Sequence, residues 1–315
     1  MTHRAARPPT GGPAIDPWPL VRRRVVELAA VPGRLLVVTD FDGTVAATSL
    51  DPMAARIEPL ARSALRRLAG IAAGQPRRLH VAVLSGRTAH DVVARVRVGG
   101  IEYHGDHGLQ AGFLRRRVAA ERLAVTSDPA LAPLVDGARA LALAVSTALG
   151  RPDWLFVEEK GPSVAFHFRA APDTDVAAGL VGAAVEAALE AAPRGRDGQA
   201  LFVRFHGRRI VELRPTGADG KGATMARLLA SGSFDAALVL GDDRSDAEAF
   251  GAVRDARAEG RLAGSLTVAV RGSVETPPEL AAAADLMVAG PHDAARVLAA
   301  LARALGNGVP RRRSA

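Results

Sequence analysis

The chain is predicted to be α/β, with a parallel-sheet core interrupted by a smaller inserted α+β domain. Three observations lead there. Apolar runs at residues 35 to 38, 79 to 84 and 237 to 240 are too short for helices, and each ends at a polar, glycine-containing turn. Such runs suit strands covered on both faces. Helix-like stretches alternate with them, as the crossovers of a parallel sheet require. Between residues 113 and 214 the alternation gives way to helix, hairpin, helix, hairpin, and then it resumes.

In chain order, residues 1 to 17 are rich in Pro, Gly and Arg and read as a disordered tail. The core takes residues 18 to 112: helix 18 to 30, strand 35 to 40, helix 57 to 73, strand 79 to 84, helix 88 to 97 and a strand at 101 to 103. The inserted domain, 113 to 214, holds a helix at 129 to 149 and a hairpin of 154 to 159 with 163 to 169, turning at Lys160, Gly161 and Pro162. A second helix at 174 to 192 and strands at 201 to 206 and 209 to 214 complete it. The core resumes over 215 to 306 with helix 221 to 230, strand 237 to 241, helix 246 to 258, strand 266 to 270 and helix 292 to 305. Residues 307 to 315 form a basic tail. There is no internal repeat.

Composition narrows the function. Hydrophobic residues at 48% and charged residues at 23% fit a soluble globular protein of 315 residues. No apolar run approaches the 18 or more residues of a membrane helix, and the N-terminus lacks the apolar core of a secretory signal, so a cytoplasmic location is expected. With no cysteine, disulfides, thiolate catalysis and zinc–thiolate sites are excluded. The net charge of +8 is carried by scattered arginines, aromatics are 4%, and no nucleic-acid motif occurs; neither a nucleic-acid nor a membrane partner is expected. The blocks at 22 to 24, 115 to 117 and 311 to 313 read as solvated faces. Only two of the 41 basic residues are lysine, Lys160 and Lys221. An ammonium is a compact point charge where a guanidinium is a planar fork, so both positions are candidate site residues.

The chemistry sits at strand ends. Ligands in parallel sheets bind just beyond the carboxyl ends of the strands. Asp40 and Asp42 follow the first run, with Gly43 and Thr44 behind them. If the extended backbone persists, both carboxylates project to one side. Like charges so close call for a cation, and oxygen ligands favour Mg²⁺. Taken alone, Asp-x-Asp-Gly is also an ordinary solvated turn. The second run ends at Ser85, Gly86 and Arg87 before a helix, an arrangement that suits an anion such as phosphate. The third ends at Gly241, Asp242, Asp243, Arg244, Ser245 and Asp246, more carboxylates than a helix cap needs, although Asp246 could cap the helix that follows. Gly220, Lys221 and Gly222 place a lysine at a helix start, where it could meet a phosphate or a carboxylate.

These four motifs, in this order, resemble those of the haloacid dehalogenase superfamily. The resemblance implies a Rossmann-like core with an inserted cap domain. It also implies that Asp40 attacks phosphorus, Asp42 serves as acid and base, Ser85 and Lys221 hold the phosphoryl group, and Asp242 helps bind Mg²⁺ beside Asp40 and Asp42. Asp243 and Asp246 would act in support. The segments at 103 to 108, 157 to 163, 167 to 169, 211 to 215 and 241 to 246 further resemble trehalose-6-phosphate phosphatases, with Phe41 where tyrosine is frequent and Ser245 where threonine is usual. This implies hydrolysis of trehalose 6-phosphate through an aspartyl-phosphate, by a protein expected to be a monomer, with a trehalose-phosphate synthase as a candidate partner. Sucrose phosphate, a glycosyl phosphoglycerate, or a catalytically silent sugar-phosphate sensor are the alternatives.

The insert reads independently as a sugar-binding surface. Val164, Phe166 and Phe168 alternate with Ala165, His167 and Arg169, and Val211 and Leu213 with Glu212 and Arg214, giving one apolar and one polar face. An ordinary half-solvated sheet has the same alternation. The candidate substrate-binding set is Gly86, Arg87 and His107 on the core with Lys160, His167, Arg169, Glu212 and Arg214 on the cap.

Overall fold

The computed structural model describes residues 18 to 307 apart from 50, 208 and 273 to 275. The two expected tails lie outside the described residues, except for Asn307. The continuous apolar runs become β1 (Leu35–Thr39), β2 (Leu79–Leu84) and β10 (Ala236–Gly241), side by side in an eight-stranded sheet of order β12-β11-β10-β1-β2-β3-β4-β5. The strands from β12 (Leu286–Val288) and β11 (Gly264–Val270) through to β3 (Ile101–Gly105) run parallel. From β1 the chain moves outward through β2 and β3, then returns to lay β10 on the other side of β1. That reversal opens the crevice in which ligands of such sheets bind.

Both sheet faces are covered, which is why the strands are apolar at every position. Leu35 and Val37 point into a core shared with α1 (Trp18–Ala30), α2 (Pro59–Gly74), α3 (Ala89–Val96) and α9 (Pro291–Asn307). Leu36 and Val38 point the other way, against α6 (Lys221–Ser231), α7 (Arg244–Ala258) and α8 (Pro278–Ala283). Truncating a fully buried leucine such as Leu36 to alanine costs about 2 to 5 kcal/mol.

Two strands extend this sheet further than the sequence suggests. β4 (Gln110–Leu114) and β5 (Thr126–Ser127) pair antiparallel beyond β3. Residues 113 to 127, assigned above to the insert, therefore belong largely with the core sheet. The cap proper begins with a 3-10 segment, Pro129–Leu134, leading into α4 (Val135–Ala148). By length and composition Pro129–Ala148 would qualify as a membrane helix, contrary to the expectation of none. It is instead an amphipathic cap helix. Ala138, Leu141, Ala142 and Val145 pack with Val181 and Val185 of α5 (Thr174–Ala191) on the apolar side of a four-stranded antiparallel sheet. That sheet runs β6 (Phe156–Glu159), β7 (Val164–His167), β9 (Ile210–Pro215), β8 (Phe202–Gly207). The alternation reads through: Val164, Phe166, Phe168, Val211 and Leu213 face the helices, and the opposite face meets the core.

Candidate active site

Asp40 is the first residue past β1, Ser85 the first past β2, and Asp242 the first past β10. Adjacency of these strands brings the three together. Lys221, the first residue of α6, comes up from beneath: its Nζ donates to Asp40 Oδ1 at 2.9 Å and to Asp246 Oδ1 at 2.8 Å. The lysine is 2% exposed. Oxygens of Asp40, Asp242 and Asp246 lie within 4.8 Å of one another. Gly43 makes room, because a Cβ built there would stand 1.9 Å from Asp242 Oδ2, and its φ of +77° favours glycine in any case. Thr44 Oγ1 donates to Asp242 Oδ1 at 3.4 Å.

The electrostatics call for more positive charge. Burial raises the Asp40 carboxyl to about 6, against Lys221 and with Asp243 and Asp42 adding to the rise. Burial, and then the neighbouring carboxylates, push Asp242 well above its ordinary value, and Asp246 is raised too, with Lys221 opposing. One ammonium does not balance this crowd. An all-oxygen donor set of this kind fits a hard divalent cation. Asp246 also accepts from the amides of Asp242 and Asp243 at 3.0 and 3.2 Å, and Asp243 caps α7. The residue read as a possible cap is thus both a capping-box partner and a member of the cluster.

Asp42 is placed differently from the expectation that its carboxylate converges with that of Asp40. It points at Arg87, whose Nε and Nη2 donate to its two oxygens at 2.6 and 2.8 Å. A guanidinium fork matches a carboxylate in this bidentate way. The third acidic member of the cluster is therefore Asp246 rather than Asp42. Ser85 is buried, its Oγ accepting from the Arg87 amide at 3.2 Å.

The cap lays its polar face over this crevice. Lys160 Nζ donates to the Gly86 carbonyl at 2.8 Å and to Glu212 Oε1 at 2.5 Å. Glu212 also accepts from Arg214 Nε at 2.7 Å and from His107 Nε2 at 3.1 Å. Lys160, the hydrogen bond from His107 and Arg214 hold the Glu212 carboxyl well below the usual range although burial opposes them. Burial lowers His107 to about 4, so it is neutral near pH 7. Gly86 is needed here, since a Cβ would meet His107 Nε2 at 2.8 Å. Ser163 Oγ donates to Asp106 Oδ2 at 2.6 Å, and Gln110 Nε2 to the Lys160 carbonyl at 2.8 Å. His167 Nε2 lies 3.0 Å from Glu158 Oε2, and Arg169 reaches the carbonyl of Ser49 in the loop behind Asp42. Sequence reasoning left out Asp91 and Gln110, and it gave no individual role to Asp106, Glu158 and Ser163, which lie in the segments 103 to 108 and 157 to 163. Glu158 was within reach, because period two puts it on the same face as Lys160.

The trehalose-phosphatase family profile matches residues 38–278. A trehalose-phosphate phosphatase of Mycobacterium avium is 40% identical over 229 residues, covering 71% of this chain and 52% of that protein. The counterpart in Mycobacterium tuberculosis is 35% identical over 222 residues, 69% of this chain and 51% of that one. The chain thus spans about half the length of these curated relatives. Among solved structures, the C-terminal domain of the Candida albicans trehalose-6-phosphate phosphatase covers 90% of this chain and 96% of its own, with a TM-score of 0.69 at 18% identity. The C-terminal domain of a Candida albicans trehalose synthase regulatory protein covers 88% and 97%, with a TM-score of 0.61 at 15% identity. At such identities the likeness is one of fold. The family match covers well over half of the sequence, and the chain belongs to the trehalose-phosphatase family.

Proposed function

We propose that the protein is a Mg²⁺-dependent phosphatase that releases inorganic phosphate from trehalose 6-phosphate through an aspartyl-phosphate. The observation that carries this reading is the buried Lys221 bridging Asp40 and Asp246, with Asp242 within 4.8 Å, at the end of β1. A regulatory protein can share the fold; it has no need of this cluster.

Asp40 is the nucleophile. Its oxygen bonds to phosphorus as the bond from phosphorus to the sugar oxygen breaks, and Asp42 supplies the proton to that oxygen. Water then attacks the phospho-enzyme, gives its proton to Asp42 and restores Asp40. Lys221 and Ser85 hold the phosphoryl oxygens. Asp40, Asp242 and Asp246 would hold Mg²⁺, which neutralises charge on the transferring group when bound. Lys160, Glu212, Arg214 and His167 of the cap, with Gly86, Arg87 and His107 of the core, are the groups assigned to the disaccharide, which enters as the direct contacts of Lys160 with Gly86 and of Glu212 with His107 open. Arg169 is proposed to brace the cap on the Ser49 loop beside it.

The test is phosphate release from a panel of sugar phosphates with Mg²⁺, beside an Asp40→Asn control. Trehalose 6-phosphate should be the preferred member, and the control should lose more than about a thousandfold. Preference for sucrose phosphate or a glycosyl phosphoglycerate would move the substrate; an active control would remove the nucleophile.

A further inference from the structure

Arg87 has two jobs to reconcile. One edge of its guanidinium chelates Asp42, and Nη1 on the other side donates to Asp91 Oδ2 at 2.7 Å. Asp91 stands in the first turn of α3, its amide bonded to the capping Thr88 Oγ1 at 3.1 Å. The same Asp91 oxygen accepts from Arg95 Nε at 2.8 Å. Arg95 is anchored in turn, with Nη1 on the carbonyls of Met53 and Ala55 at 2.9 and 3.0 Å. Asp42, Arg87, Asp91 and Arg95 therefore form a row of alternating charge from the crevice to the loop at 51 to 55. Both arginine side chains are 10% exposed, against 25% for Asp91 and 37% for Asp42, so the row is shielded along its cations and opens to solvent at Asp42. Burial alone would raise the Asp91 carboxyl, and hydrogen bonds from Arg95 and Arg87 overcome it and hold it below its ordinary value.

We propose that Asp91 is a positioning residue for Asp42, acting through Arg87. The proposal rests on the reading of Asp42 as the acid and base. A carboxylate that must meet the leaving oxygen gains from a fixed plane. Arg87 holds Asp42 by both oxygens here; to carry a proton Asp42 gives up one of these bonds and pivots on the other, and Asp91, backed by Arg95, fixes the guanidinium on which it pivots. A pair kept only for stability would carry the same bonds, and the two roles differ in how they respond to the leaving group.

The experiment compares wild type, Asp91→Asn, Asp91→Glu and Arg95→Gln on para-nitrophenyl phosphate, phenyl phosphate and trehalose 6-phosphate, with thermal melting of each variant. Nitrophenolate departs without a proton, phenolate needs more help, and a sugar alkoxide needs the most. Asp91→Asn should lower kcat for trehalose 6-phosphate about 10- to 100-fold, a part of what general acid catalysis contributes, with KM little changed. The burst of nitrophenolate should fall less than about threefold, phenyl phosphate should lie between, and Asp91→Glu should recover part of the loss. Arg95→Gln should show a smaller loss with the same order. Equal losses on all three esters, or no loss in a folded variant, overturn the proposal. A wild type that cleaves the aryl esters and ignores trehalose 6-phosphate overturns the substrate reading alone, since the two aryl esters still rank the leaving-group effect.

Discussion

Lys221 Nζ meets Asp40 Oδ1 at 2.9 Å across 181 positions of sequence. The whole cap lies between the two in the chain, so this ion pair closes the core over the insertion. It also explains why a chain that writes nearly every cation as arginine keeps a lysine here. One compact charge can touch Asp40 and Asp246 at once in a space a planar fork would overfill.

Lys221→Met should destabilise the fold by about 3 to 5 kcal/mol, because the carboxylates it serves stay buried without a counter-charge. Denaturant unfolding measures this. Added Mg²⁺ should restore part of the loss.

Asp242→Ala should weaken the Mg²⁺ dependence of turnover far more than Ser85→Ala, since a hydroxyl that contacts phosphate does not replace a carboxylate ligand. Titration of Mg²⁺ against each variant decides it. Equal apparent metal affinities would remove Asp242 from the ligand set.

Asp106 and His107 give opposite pH dependences over one range. Burial raises Asp106 to about 6, with Lys160 opposing, from an ordinary 3.8, so its contribution to stability is full below 3.8 and lost as pH rises through 6. His107 is lowered by burial to about 4 from 6.5, so its contribution is full above 6.5 and lost as pH falls through 4. The two slopes oppose each other between pH 4 and 6. Asp106→Asn should therefore raise stability near pH 7.5 by on the order of 1 to 2 kcal/mol and steepen its decline toward pH 4. Melting temperatures across pH for the two proteins test both signs.

Lys160→Met and Glu212→Gln should cut kcat/KM for trehalose 6-phosphate by about tenfold or more while leaving the nitrophenolate burst within about threefold, because remote binding energy orients only the substrate that reaches it. A parallel fall on both esters would place these residues in support of the cap-to-core contact alone.

Much of this was legible in the sequence, for physical reasons. β1, β2 and β10 are buried on both faces, so they read as unbroken apolar runs, and their polar ends mark where the chain leaves the sheet. β4 and β12 left weaker marks: Gln110–Leu114 carries a glycine in its middle, and Leu286–Val288 has three residues. β5, with two, has no pattern to read. In the crevice, Asp40, Lys221 and Asp242 announce themselves by spacing. The Asp42 to Arg87 pairing does not, because an extended strand and a bent one place that carboxylate on different neighbours. Asp91 left a faint signal, four residues after Arg87 and four before Arg95, which on a helix puts all three along one side.

The two lysines are 4% and 2% exposed. Amine-directed reagents will therefore find almost nothing on the closed protein beyond its α-amino group. Lys160 becomes reachable once the cap lifts off Gly86, whereas Lys221 stays engaged by Asp40 and Asp246. Acylation followed by peptide mapping would thus report cap opening at Lys160, with Lys221 as an internal comparison from the same sample.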